Sequence, residues 1–224
     1  MNAKQLVGEK AVDYIKDGMV VGLGTGSTVY WTIQKLGQLV KEGLSIKGIP
    51  TSVRTEELAK ELGIPLTDFA SVDRIDVTID GADEIDSELN LIKGGGGALL
   101  REKIVAAASA QLIIVADESK LVKQLGQFPL PVEVIPFGWE NTMKKIAEFG
   151  CQPRLRLVDD KPDITDNGNY ILDCKFDKIT KPEQLNKELN TIPGVVENGL
   201  FPNIANMFLI GKKDGKVNVI TNMR

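Results

Sequence analysis

An α/β fold is predicted, a mostly parallel sheet with helices on both faces, together with a smaller α+β domain. Three observations predict it. Short apolar runs at 19–23, 46–50, 75–79 and 112–116 alternate with segments of helical periodicity, the pattern of strand–helix–strand units around a parallel sheet. The texture changes near Phe128, where Pro129, Pro131 and Pro136 crowd into eight residues and suggest a linker or domain edge. Beyond them an Asn167-Gly168 pair between extended runs signals an antiparallel hairpin.

The elements follow in order. Leu6, Val7, Ala11, Val12, Tyr14 and Ile15 recur at helical spacing within residues 3–17, with Gly18 as the stop. Residues 19–23 form a short buried strand, Gly24-Thr25-Gly26-Ser27-Thr28 a glycine-rich turn, and residues 29–40 a helix. A second strand at 46–50 leads to a helix over 54–62 that ends at Gly63. A helix over 98–110 separates the strands at 75–79 and 112–116, which completes a Rossmann-like arrangement. In the smaller domain a helix at 139–149 precedes a strand at 155–158. The turn 166–169 leads to a strand at 170–176, and a helix lies near 182–189. The strands 207–211 and 217–221 form a hairpin around Lys213-Asp214-Gly215.

Composition narrows the function. The 224 residues hold 27 Lys+Arg against 31 Asp+Glu, a net charge of −4, which argues against a chain that coats nucleic acid. There is no histidine, so no Ser-His-Asp or Cys-His triad and no His-rich zinc site can be built from this chain alone. Any general acid or base is a carboxylate, Lys, Tyr or Cys. Cys151 and Cys174 are 23 positions apart. They form neither a CxxC pair nor a disulfide framework and read as small buried thiols in a reducing compartment. No apolar run reaches the ~20 residues of a membrane span, and the N-terminus has no signal-like apolar stretch. A soluble, cytoplasmic protein without membrane or nucleic-acid partners is expected.

Five motifs carry candidate chemistry. Gly22-Leu23-Gly24-Thr25-Gly26-Ser27-Thr28 joins a strand to a helix but fails the dinucleotide fingerprint, because Ser27 or Val29 stands where the third glycine belongs. It is not a Walker loop either, since no Lys precedes the hydroxyl residue. What remains is a cradle of N–H groups and hydroxyls suited to a small phosphate, or a simple helix cap by Ser27 or Thr28. Asp80-Gly81-Ala82-Asp83-Glu84-Ile85-Asp86 ends a strand, where α/β sheets bind ligands. Asp80 and Asp83 flank its turn; a solvated acidic loop and a magnesium site are its other readings. Lys93-Gly94-Gly95-Gly96-Gly97 brings a cation and backbone that can press against a ligand. Glu102 shares a helix face with Ala98, Val105, Ala106 and Ser109; a carboxylate on an apolar stripe is a candidate general base, although a first-turn Glu also suits the helix dipole. Finally, Lys120 follows a strand end and offers a point charge to a phosphate.

Taken together, 22–28, 80–85, 93–98 and Leu100-Arg101-Glu102-Lys103-Ile104 resemble, in order, the motifs of the type A ribose-5-phosphate isomerases. So do 128–136, 165–169 and 192–201. The resemblance covers nearly the whole chain and is weakest at 48–54, where a more Ser-rich segment is common. It implies an aldose–ketose isomerase that interconverts ribose 5-phosphate and ribulose 5-phosphate in the pentose phosphate pathway, with no metal and no organic cofactor. It implies Glu102 as the base moving a proton between C1 and C2, with Asp80, Asp83 and Lys93 around the reacting oxygens. Gly81, Ala82, Gly94, Gly95 and Gly96 would line the sugar, and Thr25, Gly26, Ser27, Thr28 and Lys120 would hold the phosphate. It further implies a homodimer or homotetramer, and a domain division of 1–128 with 204–224 for the α/β part and 129–203 for the small part. The alternatives are a sugar-phosphate sensor domain, or a deaminase or CoA transferase on the same fold. A sensor has no need of Glu102 together with Lys93 and both aspartates.

Overall fold

The computed structural model describes residues 2–222. In chain order its elements are α1 (Ala3–Lys10), β1 (Val20–Leu23), α2 (Val29–Lys41), β2 (Lys47–Pro50), α3 (Val53–Glu61), β3 (Val77–Asp80), β4 (Glu84–Ile85), β5 (Leu91–Ile92), α4 (Leu99–Ala107) and β6 (Leu112–Asp117). There follow β7 (Leu130–Val134), α5 (Trp139–Ala147), β8 (Gln152–Leu155), β9 (Leu157–Val158), β10 (Lys161–Pro162), β11 (Tyr170–Lys175), α6 (Pro182–Leu189), β12 (Val195–Asn198), β13 (Leu200–Phe201), β14 (Met207–Gly211) and β15 (Val217–Thr221). They divide into two compact units. The first holds the chain up to Ala82, Arg101–Lys120 and the part from Ile204 onward; the second holds Asp83–Leu100 and Leu121–Asn203.

The first unit is built on a six-stranded sheet in the order β15-β14-β6-β3-β1-β2. All neighbours are parallel except β15, which returns antiparallel to β14. Because successive side chains alternate, Val21 and Leu23 of β1 enter one apolar layer with Val7, Val12, Val29, Ile33 and Leu36 of the N-terminal helical segment and α2. Val20 faces the opposite layer, where Ile49, Ile75 and Val105 of α4 meet. Burial on both faces is why these strands read as unbroken apolar runs. The first helix is shorter than its periodicity suggests: α1 ends at Lys10 and the chain tightens into a 3₁₀ turn over Ala11–Tyr14.

The second unit carries a four-stranded antiparallel sheet, β12-β7-β11-β8, with the small sheets β13-β5-β4 and β10-β9. Here the sequence reading is corrected. The prolines near Phe128 mark no linker: Leu130, Val132 and Val134 are fully buried and form the interior strand β7. Their spacing of two supplies the apolar face of a strand, and Pro131, which has no N–H to give the ladder, still accepts from Gly199 N at 2.8 Å. The run at 155–158 is not one strand, since β8 ends at Leu155 and β9 begins at Leu157. The strand after the Asn-Gly turn pairs with β7 and β8 rather than with the segment just before the turn, which meets it only at an Ile164–Tyr170 bridge. The turn is tied to β7 by the buried carboxylate of Glu133, which accepts from Thr165 Oγ1 (2.9 Å), Asn167 Nδ2 (3.1 Å) and Asn169 Nδ2 (2.9 Å). Residues 83–100 also fall in this unit, because β4 and β5 pair with each other and β5 pairs with β13.

Among the described residues no helix is long and apolar enough to cross a membrane. Cys151 and Cys174 are both buried and free. Hydrogen bonding to Cys151 and then burial push the Cys174 thiol well above the ordinary range, and a thiol so held is a poor nucleophile. The same hydrogen bond acts in the opposite sense on Cys151 and lowers it, so a disulfide-exchange reagent at neutral pH should leave Cys174 unmodified in the native protein and titrate it after unfolding. Rapid native labelling of Cys174 would contradict its burial.

Candidate active site

The first unit gathers three of the predicted motifs at the carboxyl ends of adjacent parallel strands, the edge where such sheets bind ligands. β6, β3 and β1 are neighbours, and they end at Asp117, Asp80 and Leu23. The loop after β1 presses against β3: a Cβ on Gly24 would lie 2.4 Å from Asp80 Oδ1, so only glycine fits there. Asp80 is fully buried, and its Oδ1 accepts from Gly81 N at 2.7 Å and Thr25 N at 3.2 Å. One carboxylate thus fixes both the start of the phosphate-loop candidate and the turn that follows β3.

Thr25 itself points inward. Its hydroxyl joins Thr51 Oγ1 (2.8 Å), Ser52 Oγ (2.8 Å) and Thr55 Oγ1 (3.1 Å). Thr51 and Thr55 in turn donate to the carbonyls of Leu23 and Gly24. The segment 48–54, the weakest part of the family resemblance, supplies hydroxyls that brace the loop from behind, and Ser52 also caps α3. Gly26, with φ +131°, then turns the chain so that Ser27 is exposed. Thr28 precedes α2 without making a side-chain cap hydrogen bond, so the simple-cap alternative does not describe it. A cavity of about 490 Å³ opens beside the loop, bordered by Gly26, Ser27, Tyr30, Arg54, Thr55 and Leu58.

Two lysines converge on this edge. Lys120 closes a short 3₁₀ turn after β6. Lys4, on α1, donates to Ser27 Oγ at 3.0 Å. Burial alone would raise the Asp117 carboxyl, but hydrogen bonds from the Ser119 hydroxyl and N–H, with the charges of Lys4 and Lys120, outweigh it and hold Asp117 below its usual range. Both cations therefore sit close enough to act on one carboxylate. Sequence reasoning did not single out Lys4, because nothing in the sequence ties a first-turn lysine to a loop more than twenty positions later.

Glu102 lies in the first turn of α4 and is only 4 % exposed. Its neighbours on the helix face, Ala98, Val105 and Ala106, are buried as the spacing predicts. The course of α4 fixes its height on the sheet. Ala108 and Ala110 exchange backbone hydrogen bonds with Ile75, ahead of β3, and Val105 packs at Gly22 and Thr78 in mid-sheet. One turn back from Val105, Glu102 is carried toward the carboxyl ends of the strands.

The second unit holds the remaining candidates. Asp83 leads into β4 and its Oδ2 accepts from Gly95 N at 2.8 Å. A Cβ on Gly95 would lie 2.7 Å from Asp83 Oδ1, which explains a glycine there. Lys93 is 2 % exposed; its N–H donates to Gly199 O at 2.9 Å and its Nζ stands 5.4 Å from the centre of the Phe201 ring, within reach of a cation–π attraction. Among the described residues no group of three or more Cys, Asp and Glu is arranged to hold a metal ion, so the magnesium reading of the 80–86 loop finds no support in its geometry.

The comparisons with known proteins agree with one another. Residues 47–215 match the family model of ribose 5-phosphate isomerase A (phosphoriboisomerase A). Ribose-5-phosphate isomerase A of Bacillus mycoides (strain KBAB4) is 60% identical over 216 residues, covering 96% of this chain and 98% of that protein. The structure of ribose 5-phosphate isomerase from Plasmodium falciparum superposes with a TM-score of 0.96 at 43% identity, over 99% of both chains. A D-ribose-5-phosphate isomerase solved in complex with phospho-erythronic acid does so with a TM-score of 0.95 at 44% identity, over 99% of this chain and 100% of that one. A match of this quality along nearly the full length leaves no room for the sensor, deaminase and transferase alternatives, and the chain belongs to the ribose-5-phosphate isomerase A family, aldose–ketose isomerases of ribose 5-phosphate.

Proposed function

We propose that the isomerisation runs through an enediolate, with Glu102 as the base that carries a proton between C1 and C2. The observation that carries this reading is the buried carboxylate of Glu102, borne toward the same strand ends as the phosphate-loop candidate and Asp80. Removing a proton next to a carbonyl puts negative charge on oxygen. Lys93 and the N–H groups of its glycine loop are the donors suited to that charge. Asp80 and Asp83 hydrogen-bond the sugar hydroxyls, and one of them assists ring opening. Thr25, Gly26, Ser27, Thr28 and Lys120, with Lys4 beside Ser27, hold the phosphate, whose binding orients the sugar without reacting. The phosphorylated ligand of the related structure supports a phosphate-bearing substrate. The family resemblance adds a cytoplasmic location and a homodimer or homotetramer. The test is direct: the pure protein, incubated with ribose 5-phosphate in EDTA, should form ketose.

Two further results are expected. Exhaustive EDTA treatment should leave turnover within about twofold, well under 1 kcal/mol, because a lysine rather than a Lewis acid meets the developing charge. A loss that magnesium restores would recast Asp80 and Asp83 as ligands. Lys120→Ala should raise KM about tenfold, near 1.4 kcal/mol, with kcat little changed, since contacts to a non-reacting phosphate are nearly equal in ground and transition states. A collapse of kcat at constant KM would move Lys120 into the chemistry.

A further inference from the structure

Arg156 stands between β8 and β9 with its side chain 13% exposed, in a stretch where no sequence motif pointed. Its guanidinium makes four hydrogen bonds within the second unit. Nε and Nη2 donate to the two carboxylate oxygens of Asp173, at 2.9 and 2.5 Å. Nη1 donates to the carbonyls of Gly94 (3.1 Å) and Gly95 (3.3 Å). The residue is itself anchored through its backbone, its N–H donating to Ile171 O (2.8 Å) and its carbonyl accepting from Asp163 N (3.0 Å). The fork of an arginine fits this task and an ammonium does not, because one planar group must serve a carboxylate and two carbonyls at once.

The consequence follows from peptide geometry. In a planar trans peptide the C=O and the next N–H point in opposite directions. Arg156 takes the carbonyls of Gly94 and Gly95 on one side, so the N–H groups of Gly95 and Gly96 are turned to the other. The Gly95 N–H goes to Asp83 Oδ2 at 2.8 Å. Four successive glycines are the residues least able to hold a conformation by themselves, and Gly94 and Gly97 stand at φ +100° and +79°. The loop thus depends on outside contacts for its shape, and Arg156 supplies two of them on the face opposite Asp83.

We propose that Arg156, held by Asp173, is a positioning residue of the isomerase: it fixes and polarises the Gly94–Gly96 backbone so that Asp83 and the loop N–H groups meet the reacting oxygens of the sugar. The inference rests on the assignment of Asp83 and Lys93 to the active site. The alternative is that Arg156 and Asp173 only fasten the β8–β9 corner to β11, which would affect stability and leave kcat alone.

The experiment compares Arg156→Ala, Arg156→Lys, Asp173→Asn and the double variant R156A/D173N with the native protein, with Lys93→Met and Asp83→Asn as reference. Arg156→Ala should lower kcat by about 10²-fold, the scale of a small misplacement at a reacting centre. KM should change less than about threefold, and the thermal midpoint should fall only slightly. Guanidinium ion, added well below denaturing concentrations, should restore much of the activity of Arg156→Ala and none of that of Lys93→Met. Asp173→Asn should show a smaller loss, and adding it to Arg156→Ala should cost nothing more, because Asp173 acts through the guanidinium. Native kcat in Arg156→Ala, with Lys93→Met and Asp83→Asn inactive, would overturn the inference and leave the site assignment standing; native activity in Lys93→Met and Asp83→Asn would overturn both. Should Arg156→Ala not fold, Arg156→Lys decides: a loss of kcat at native thermal midpoint supports the positioning role, and native kcat overturns it.

Discussion

Glu102→Gln should lower kcat by roughly 10²–10⁴-fold, the usual worth of a positioned general base, while KM changes little. The substitution keeps the size of a side chain that is almost wholly enclosed, and Gln is nearly as good a helix former as Glu, so α4 and the packing of Val105 against β1 should survive. The chemical readout is more specific than the rate. A base that shuttles a proton between C1 and C2 lets solvent tritium enter the sugar during turnover, and the variant should stop that exchange. Exchange at near-native rate in Glu102→Gln would remove Glu102 from the proton transfer, and the base would have to be sought at Asp80 or Asp83.

The second large effect is expected at Lys93. Lys93→Met should cost about 10²–10³-fold in kcat, the magnitude found when one donor to a developing oxyanion is removed. Lys93 is buried beside the Phe201 ring, and Met keeps much of its length and its apolar contact with that ring, so the variant should remain folded. A rate collapse in a protein of undiminished stability would identify a cation kept for chemistry. A destabilised variant with native turnover would show instead that Lys93 serves the fold.

The strand–helix alternation and the apolar faces of the first unit were legible in the sequence because they rest on local periodicity. The same holds for Glu102, whose neighbours at helical spacing are buried as expected. The phosphate-loop and glycine-loop candidates were legible for a related reason: glycines placed where a Cβ would strike Asp80 or Asp83 leave a compositional trace. Less of the second unit could be read. β4, β5 and β13 are two residues long, too short to show a period of two, and the pairing of β5 with β13 spans more than a hundred positions. The prolines around β7 looked like punctuation, yet the burial of Leu130, Val132 and Val134 prevailed.

Motif and periodicity by themselves determined the family, the fold class and the residue types at the candidate site. Only the tertiary structure decided which atoms those residues hold. It placed the Thr25 hydroxyl in a buried cluster with Thr51, Ser52 and Thr55. It brought Lys4 of α1 to Ser27, and it put Arg156 on the carbonyls of a loop some sixty residues earlier in the chain. The physical reason is the same in each case: a hydrogen bond or an ion pair requires a distance of about 3 Å and a direction, and for partners far apart in sequence both are set by packing, which no local pattern encodes.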